Sequence, residues 1–118
     1  MPRILVADDE PLIAMIIEDW LTELRFETLG PVSTIREALA LIESTPPDAA
    51  ILDVRLADGN SYAVAERLVA NRVPFAFASG QEANTIDARF KDAPVLVKPF
   101  DLEQVRKVLA AMVPGHAR

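Results

Sequence analysis

The stretch RILVADDEPLIAMIIEDWLTELRF, residues 3–26, places a short apolar strand, three acids and an amphipathic helix in direct succession. Residues 3–7 have the composition of a buried strand. Over 11–26, apolar residues recur at 13, 16, 17, 20, 21 and 24, which is a helical spacing. A strand that leads directly into a helix is the repeating unit of α/β proteins, so this stretch predicts that fold class.

The same alternation continues along the rest of the chain. Further strands are predicted at 27–32, 49–53, 73–79 and 94–97, and further helices at 34–44, 62–72, 81–93 and 101–112. Since the strands are continuous apolar runs, helices should cover both faces of the sheet. Gly30 and Pro31 interrupt the second strand, which favours an edge position. We expect one α/β domain over residues 1–118, a doubly wound five-stranded parallel sheet of order 2-1-3-4-5 with five helices.

The composition of the 118 residues excludes several classes of chemistry. There is no cysteine, and the one histidine, His116, lies in the final PGHAR, where a solvated tail residue is expected. Disulfides, thiolate metal sites and serine–histidine catalysis are therefore excluded. A net charge of −6 argues against nucleic acid or an anionic membrane as a partner. The N-terminal apolar run is too short for a signal peptide or a membrane span, so a cytoplasmic location is expected.

Polar side chains end or directly follow four of the five predicted strands. They are Asp8, Asp9 and Glu10 for the first strand, Asp53 for the third, Ser79 for the fourth and Lys98 for the fifth. Parallel strands end at the same edge of a sheet, and ligands bind there beside the point where the strand order reverses. Because strands one and three are neighbours in the order 2-1-3-4-5, Asp8, Asp9 and Asp53 should share one pocket.

Three carboxylates in one pocket repel each other and require cations. Lys98 supplies one positive charge, and a divalent ion is the natural remainder, with magnesium, manganese or calcium favoured by an all-oxygen site. A carboxylate such as Asp53 can also act as a nucleophile toward phosphorus. The metal, the Lys98 ammonium and the Ser79 hydroxyl or a backbone N–H would then neutralise the transferred oxygens. These residues predict that Asp53 carries a phosphoryl group.

Four motifs in this order resemble one known family along nearly the whole chain: DDE at 8–10, LDVRLADG at 52–59, ASG at 78–80 and KPF at 98–100. The chain is similar to the receiver domain of two-component response regulators, a CheY-like domain with a flavodoxin-like fold. The resemblance implies a signalling domain that accepts a phosphoryl group from a sensor histidine kinase and then switches its protein–protein interactions. It implies a phospho-acceptor that promotes its own phosphotransfer and autodephosphorylation, rather than an enzyme with a separate substrate.

The resemblance also assigns a role to each matching position. Asp53 is the implied phospho-acceptor, Lys98 and Ser79 are the implied contacts of the phosphoryl group, and Mg2+ is the implied cofactor. The implied metal ligands are Asp9, Asp53, the main-chain carbonyl of Arg55, and Asp8 through water. In such proteins the bond that corresponds to Lys98–Pro99 is often cis.

One position departs from the common pattern of this family. Receivers of the common type carry Tyr or Phe three residues before the lysine, where this chain has Val95. Together with PFAFASG at 74–80, this resembles a subgroup whose fourth strand reads Pro-Phe-x-Phe-Ala-Thr-Gly, with Ser79 here in place of Thr. Its members resemble stand-alone receivers that are served by histidine kinases of the HWE or a related type. We hypothesise that the signal travels through ordering of residues 80–93 instead of through a rotating aromatic ring.

Other interpretations of the same residues stay open. The acids at 8–10 could cap the first helix, Ser79 could belong to a turn, and Lys98 could be a surface side chain. The alternative function is a small Mg2+-dependent phosphohydrolase with an aspartyl-phosphate intermediate, as in haloacid dehalogenases, although that family carries Asp-x-Asp after the first strand. A nucleotide-binding fold would need a Gly-rich loop there, and the chain has none.

The remaining features predict structure rather than chemistry. Thr34 or Ser33 is expected to cap the second helix, and Asp58-Gly59 is expected to form a tight turn. Trp20 widens the apolar face of the first helix, with core packing as the default and a partner surface as the alternative. Only VPGHAR follows Met112, so we expect a single-domain receiver without an output domain, as a monomer or weak homodimer.

Overall fold

The computed structural model describes residues 1–80 and 86–116, which form a parallel sheet between two layers of helices. The strands of the sheet are β1 (Arg3–Ala7), β2 (Glu27–Val32), β3 (Ala49–Asp53), β6 (Phe75–Ser79) and β7 (Val95–Val97). Two short strands, β4 (Arg55–Leu56) and β5 (Gly59–Asn60), form a separate hairpin. The helices are α1 (Pro11–Glu23), α2 (Ile35–Ser44), α3 (Tyr62–Ala70) and α4 (Leu102–Met112). None of the described helices has the length and hydropathy needed to cross a membrane.

The order of the main sheet is β2-β1-β3-β6-β7, and all neighbouring strands are parallel. This confirms the predicted order 2-1-3-4-5, because β6 and β7 are the fourth and fifth strands when the two hairpin strands are not counted. Alternate residues of each strand enter opposite layers of the core, as a period of two requires. Leu5 and Leu52 pack with α2 and α3, whereas Ile4 and Ile51 pack with α1 and α4. Both faces of the sheet are therefore covered, as the apolar strands predicted.

The second strand lies at an edge of the sheet, as Gly30 and Pro31 predicted. The register between β1 and β2 shifts between Leu5 and Ala7, where β2 carries an extra residue. Gly30 has a φ of +94°, and a Cβ atom there would lie 2.8 Å from the backbone nitrogen of Val32. A side chain at this position is excluded by both the backbone conformation and the close approach, so glycine is required.

The N-terminus of α2 is capped from two sides. The Thr34 hydroxyl accepts a hydrogen bond from the Glu37 N–H at 3.1 Å, which confirms Thr34 as the cap. Asp58 in the β4–β5 turn accepts from the Ile35 N–H at 2.7 Å and from the Arg36 N–H at 3.4 Å. These backbone donors lower the pKa of Asp58. Asp58 thus joins the loop after β3 to a helix 23 residues earlier, a contact that the sequence did not reveal.

The prediction of a fifth helix over 81–93 is not met within its described part. Residues 81–85 lie outside the described residues, and 86–93 contain only a 3-10 turn at Ala88–Phe90. Phe90 is buried against Phe77, and the Asp87 N–H donates to the Tyr62 hydroxyl at 3.0 Å. The sequence of 81–93 is only weakly periodic, so the helical signal was weak. Phe90 anchors the described part to the core, with Ile86 and Ala93 packed beside it.

Helices α1 and α3 end earlier than predicted, at Glu23 and Ala70 instead of 26 and 72. In each case an arginine just past the helix adopts a left-handed backbone, with φ of 69° at Arg25 and 60° at Arg72. The next N–H then reaches back to a carbonyl five residues earlier, as when the Val73 N–H donates to the Leu68 carbonyl at 2.9 Å. This pattern is a Schellman motif, whose left-handed position is normally taken by glycine.

Replacing Arg72 with Gly is expected to raise the free energy of unfolding by about 1 kcal/mol, because the left-handed conformation disfavours a residue with a Cβ atom. The gain is measured by urea denaturation. Arg72→Ala is the matched control, since alanine also removes the exposed guanidinium but keeps Cβ. Equal stabilities of the Gly and Ala variants would contradict the explanation.

Candidate functional site

The predicted polar residues meet at the carboxyl-terminal edge of the sheet. The strand register pairs Ala7 with Leu52, Asp53 with Ala78 and Ser79 with Val97. Asp8 and Lys98 each directly follow one of these paired strands. Side chains from positions 8, 53, 79 and 98 are therefore brought to one edge by four different strands.

Lys98 lies at the centre of this edge, among three carboxylates. Its Nζ atom lies 2.7 Å from Oε1 of Glu10, 3.0 Å from Oδ2 of Asp53 and 3.5 Å from Oδ2 of Asp8. Burial alone lowers the pKa of Lys98. The hydrogen bonds to Glu10 and Asp53 and the charges of Asp8 and Asp53 outweigh it, so the pKa lies above its ordinary value. Lys98 is consequently a permanent cation, and interpreting it as a free surface side chain is wrong.

Asp8 is almost completely buried, and the negative charge of its carboxylate is only partly compensated. Its Oδ1 atom accepts a hydrogen bond from the Glu10 N–H at 2.9 Å. Its Oδ2 atom is buried and has no hydrogen-bond partner among the described residues. Burial, and after it the neighbouring charge of Asp53, raise the pKa of Asp8 to about 6, although the Glu10 N–H and the Lys98 charge lower it. This carboxylate is therefore short of positive charge near neutral pH.

Asp53 ends β3 with both of its oxygens engaged. Oδ1 accepts from the Arg55 N–H at 3.2 Å, and Oδ2 accepts from Nζ of Lys98. The side chain of Asp53 is 9% exposed, which leaves the carboxylate reachable from solvent but fixed in orientation. A buried, oriented carboxylate beside an ammonium is suited to nucleophilic attack on an electrophilic centre.

Carboxylate oxygens of Asp8, Glu10 and Asp53 lie within 4.8 Å of one another. Such a group of hard oxygen donors suits a divalent cation of the Mg2+ type. The buried Oδ2 atom of Asp8, which has no hydrogen-bond partner in the described part of the chain, could bind a cation directly or accept a hydrogen bond from its bound water. The residues of this edge therefore fit a metal chemically.

Two of the predicted site residues are not part of this group of three carboxylates. Asp9 is exposed and does not belong to this group of carboxylates among the described residues. Ser79 is fully buried at the end of β6, and its main-chain carbonyl accepts from the Lys98 N–H at 2.8 Å. The Lys98–Pro99 bond that follows is cis, as the resemblance implied.

Glu10 is the residue of this edge to which sequence analysis gave no role in binding a metal or a phosphoryl group. Its contact with Lys98 joins positions 88 residues apart, so local sequence gives no sign of it. The available signal was its place in the DDE motif, directly after the acids of the first strand.

His116 was expected to be a solvated tail residue, and the structure corrects this. Its ring packs on Phe26 with centroids 4.3 Å apart, and Nε2 lies 3.3 Å from the carbonyl oxygen of Leu24. The turn Pro114–His116 thus closes over the end of α1, away from the carboxylates.

A family model described as the response regulator receiver domain matches residues 4–110. The chain belongs to this family. The solution structure of SdrG from Sphingomonas melonis Fr1 has 48% sequence identity to this receiver and a TM-score of 0.85, covering 96% of this chain and 97% of that one. A second solution structure, of the BeF3-activated conformation of SdrG from Pseudomonas melonis Fr1, has 48% identity and a TM-score of 0.80, covering 94% and 95% of the two chains.

A curated relative extends beyond the length of this receiver. The transcriptional regulatory protein PdtaR of Mycobacterium tuberculosis is 30% identical over 107 residues, which are 87% of this chain and 52% of that protein. The receiver thus spans about half the length of PdtaR. The comparisons identify a signalling receiver domain of two-component systems, and none of them favours the phosphohydrolase alternative.

Proposed function

We propose that this receiver accepts a phosphoryl group on Asp53 from a sensor histidine kinase, and that phosphorylation switches its protein–protein interactions. The observation that carries the proposal is the position of the Asp53 carboxylate, at the end of β3 and 3.0 Å from Nζ of Lys98. The likeness to SdrG, for which a BeF3-activated conformation is described, supports the same function.

The proposed transfer forms one P–O bond and breaks one P–N bond. A carboxylate oxygen of Asp53 attacks phosphorus, and the electron pair of the broken bond stays on the imidazole nitrogen of the donor phosphohistidine. Lys98 offsets the negative charge of the transferred oxygens, and the Ser79 hydroxyl contacts the phosphoryl group. Attack of water on the acyl phosphate would return Asp53 and release inorganic phosphate, which is the proposed autodephosphorylation.

We propose Mg2+ as the cofactor, held by Asp9, Asp53 and the main-chain carbonyl of Arg55, with Asp8 acting through water. When bound, the metal supplies positive charge to the phosphoryl oxygens. The buried Oδ2 of Asp8, which has no hydrogen-bond partner among the described residues, and the raised pKa of Asp8 support a cation requirement at this edge. The exposed Asp9 is the ligand of this set that lies outside the group of close carboxylates.

The remaining parts of the proposal concern the partner and the state of the protein. The motif PFAFASG at 74–80 supports a kinase of the HWE or a related type as the phosphodonor. A cytoplasmic location and a monomer or weak homodimer complete the proposal.

The function is tested by incubating the protein with Mg2+ and a small acyl phosphate, followed by intact mass and peptide mapping. We expect one phosphoryl group per chain, on Asp53, and no labelling in the presence of a chelator. Labelling of Asp8 or Asp9, or steady hydrolysis of a phosphomonoester such as p-nitrophenyl phosphate, would instead indicate the phosphohydrolase.

A further inference from the structure

We propose that Glu10 is a positioning residue that holds the Lys98 ammonium in the unphosphorylated receiver and competes with the phosphoryl group for it. The inference rests on the proposed function and adds a residue that sets how readily the site accepts an anion. It follows from the contact between Glu10 and Lys98. Of the three carboxylates around the Lys98 ammonium, that of Glu10 lies nearest.

The side chain of Glu10 does not serve the helix that it precedes. Glu10 is the N-cap residue of α1, with φ −101° and ψ 107°, but its carboxylate makes no capping hydrogen bond. The N-cap side chains of α2 and α4, Thr34 and Asp101, both accept from backbone N–H groups of their own helices. The carboxylate of Glu10 instead reaches Lys98, at 2.7 Å. Its contact therefore belongs to the site and not to helix capping.

Glu10 approaches Lys98 from the solvent side of the site. Its side chain is 58% exposed, whereas those of Lys98 and Asp53 are 18% and 9% exposed. A phosphodonor has to reach Asp53 from the same side. Any phosphoryl group on Asp53 would then share the ammonium with Glu10, and the carboxylate and the phosphoryl oxygens would repel each other. Neutralising Glu10 would leave Lys98 fully available to the anion.

The test measures binding of fluoroberyllate, a phosphoryl analogue, to the Mg2+-loaded protein. Binding is followed by 19F NMR and by the fluorescence of Trp20, the one tryptophan of the chain, whose ring lies 6.2 Å from that of Phe100. We expect Glu10→Gln to lower the Kd for fluoroberyllate roughly fivefold, because a half-exposed ion pair contributes only a small free energy. The affinity for Mg2+ alone should be unchanged or weaker, because the variant has one negative charge fewer near the cation. A merely structural role of Glu10 would weaken both affinities together.

Glu18→Gln is the matched control, because Glu18 is also on α1 but forms no ion pair with Lys98 among the described residues. It makes the same chemical change and should leave the fluoroberyllate affinity within twofold of the wild type. If Glu10→Gln binds fluoroberyllate no more tightly than Glu18→Gln, the inference is overturned. If the wild-type protein binds no fluoroberyllate and takes up no phosphoryl group, the proposed function itself fails.

Discussion

Replacing Asp53 with Asn should reduce phosphoryl uptake from a small acyl phosphate roughly 1,000-fold or more, the scale of losing a nucleophile. The amide has nearly the shape of the carboxylate but is neutral, and its nitrogen and oxygen do not attack phosphorus. Its oxygen can still accept the Arg55 N–H that Asp53 accepts, so the loop after β3 should keep its conformation. The loss would therefore report on chemistry and not on folding.

The measurement is the time course of intact mass in Mg2+ and phosphodonor, with circular dichroism to verify the fold. Asp19→Asn is the control, since Asp19 is an exposed acid of α1 and its substitution changes the net charge equally. The control should be labelled at the wild-type rate. Retention of the label on Asp53→Asn would assign the phosphoryl group to another side chain.

Replacing Asp8 with Asn is expected to raise the free energy of unfolding of the metal-free protein by about 1–3 kcal/mol at neutral pH. The cause is the buried Oδ2 atom, which is short of positive charge beside Asp53 although Lys98 lies at 3.5 Å. The pKa of Asp8 is raised from 3.8 to about 6 in the folded protein. Between these values the folded state binds more protons than the unfolded state, so wild-type stability falls as the pH rises through this range. Asparagine carries no charge and avoids this penalty.

Urea denaturation at a series of pH values measures the effect. The advantage of Asp8→Asn should be largest above about pH 6 and should shrink toward about pH 4, where Asp8 is protonated in the folded state. Asp19→Asn should show no comparable pH-dependent gain. A constant difference between Asp8→Asn and the wild type at all pH values would rule out burial of charge as the cause.

Adding Mg2+ should reduce the stability advantage of Asp8→Asn over the wild type if the proposed metal site is correct. A ligand present at 100 times its Kd stabilises the folded state by about 2.7 kcal/mol. The wild type should gain most of this amount, whereas Asp8→Asn should gain less because it has lost a carboxylate from the group around the cation. Equal gains in both proteins would show that Asp8 takes no part in holding the metal.

The elements that the sequence predicted best have a strong local signal. The predicted strands at 3–7, 27–32 and 49–53 coincide with β1, β2 and β3. For β1 and β3 the reason is that a short apolar run between polar turns has few other ways to be buried. Thr34 was expected as a cap from its place before a periodic helix, and it is one. The helix predicted over 81–93 had only weak periodicity, and its described part is anchored by Phe90 instead.

The sequence by itself determined the order of the strands in the main sheet and the edge of that sheet at which the acids and Lys98 collect. These features follow from hydrophobic periodicity and from the position of each polar residue relative to the end of its strand, both of which are local. Only the tertiary structure decided which carboxylates contact Lys98, because side-chain direction across the edge depends on packing between strands far apart in the chain. For that reason Glu10, without an assigned role, is paired with Lys98 at a separation of 88 residues, while its neighbour Asp9 is exposed.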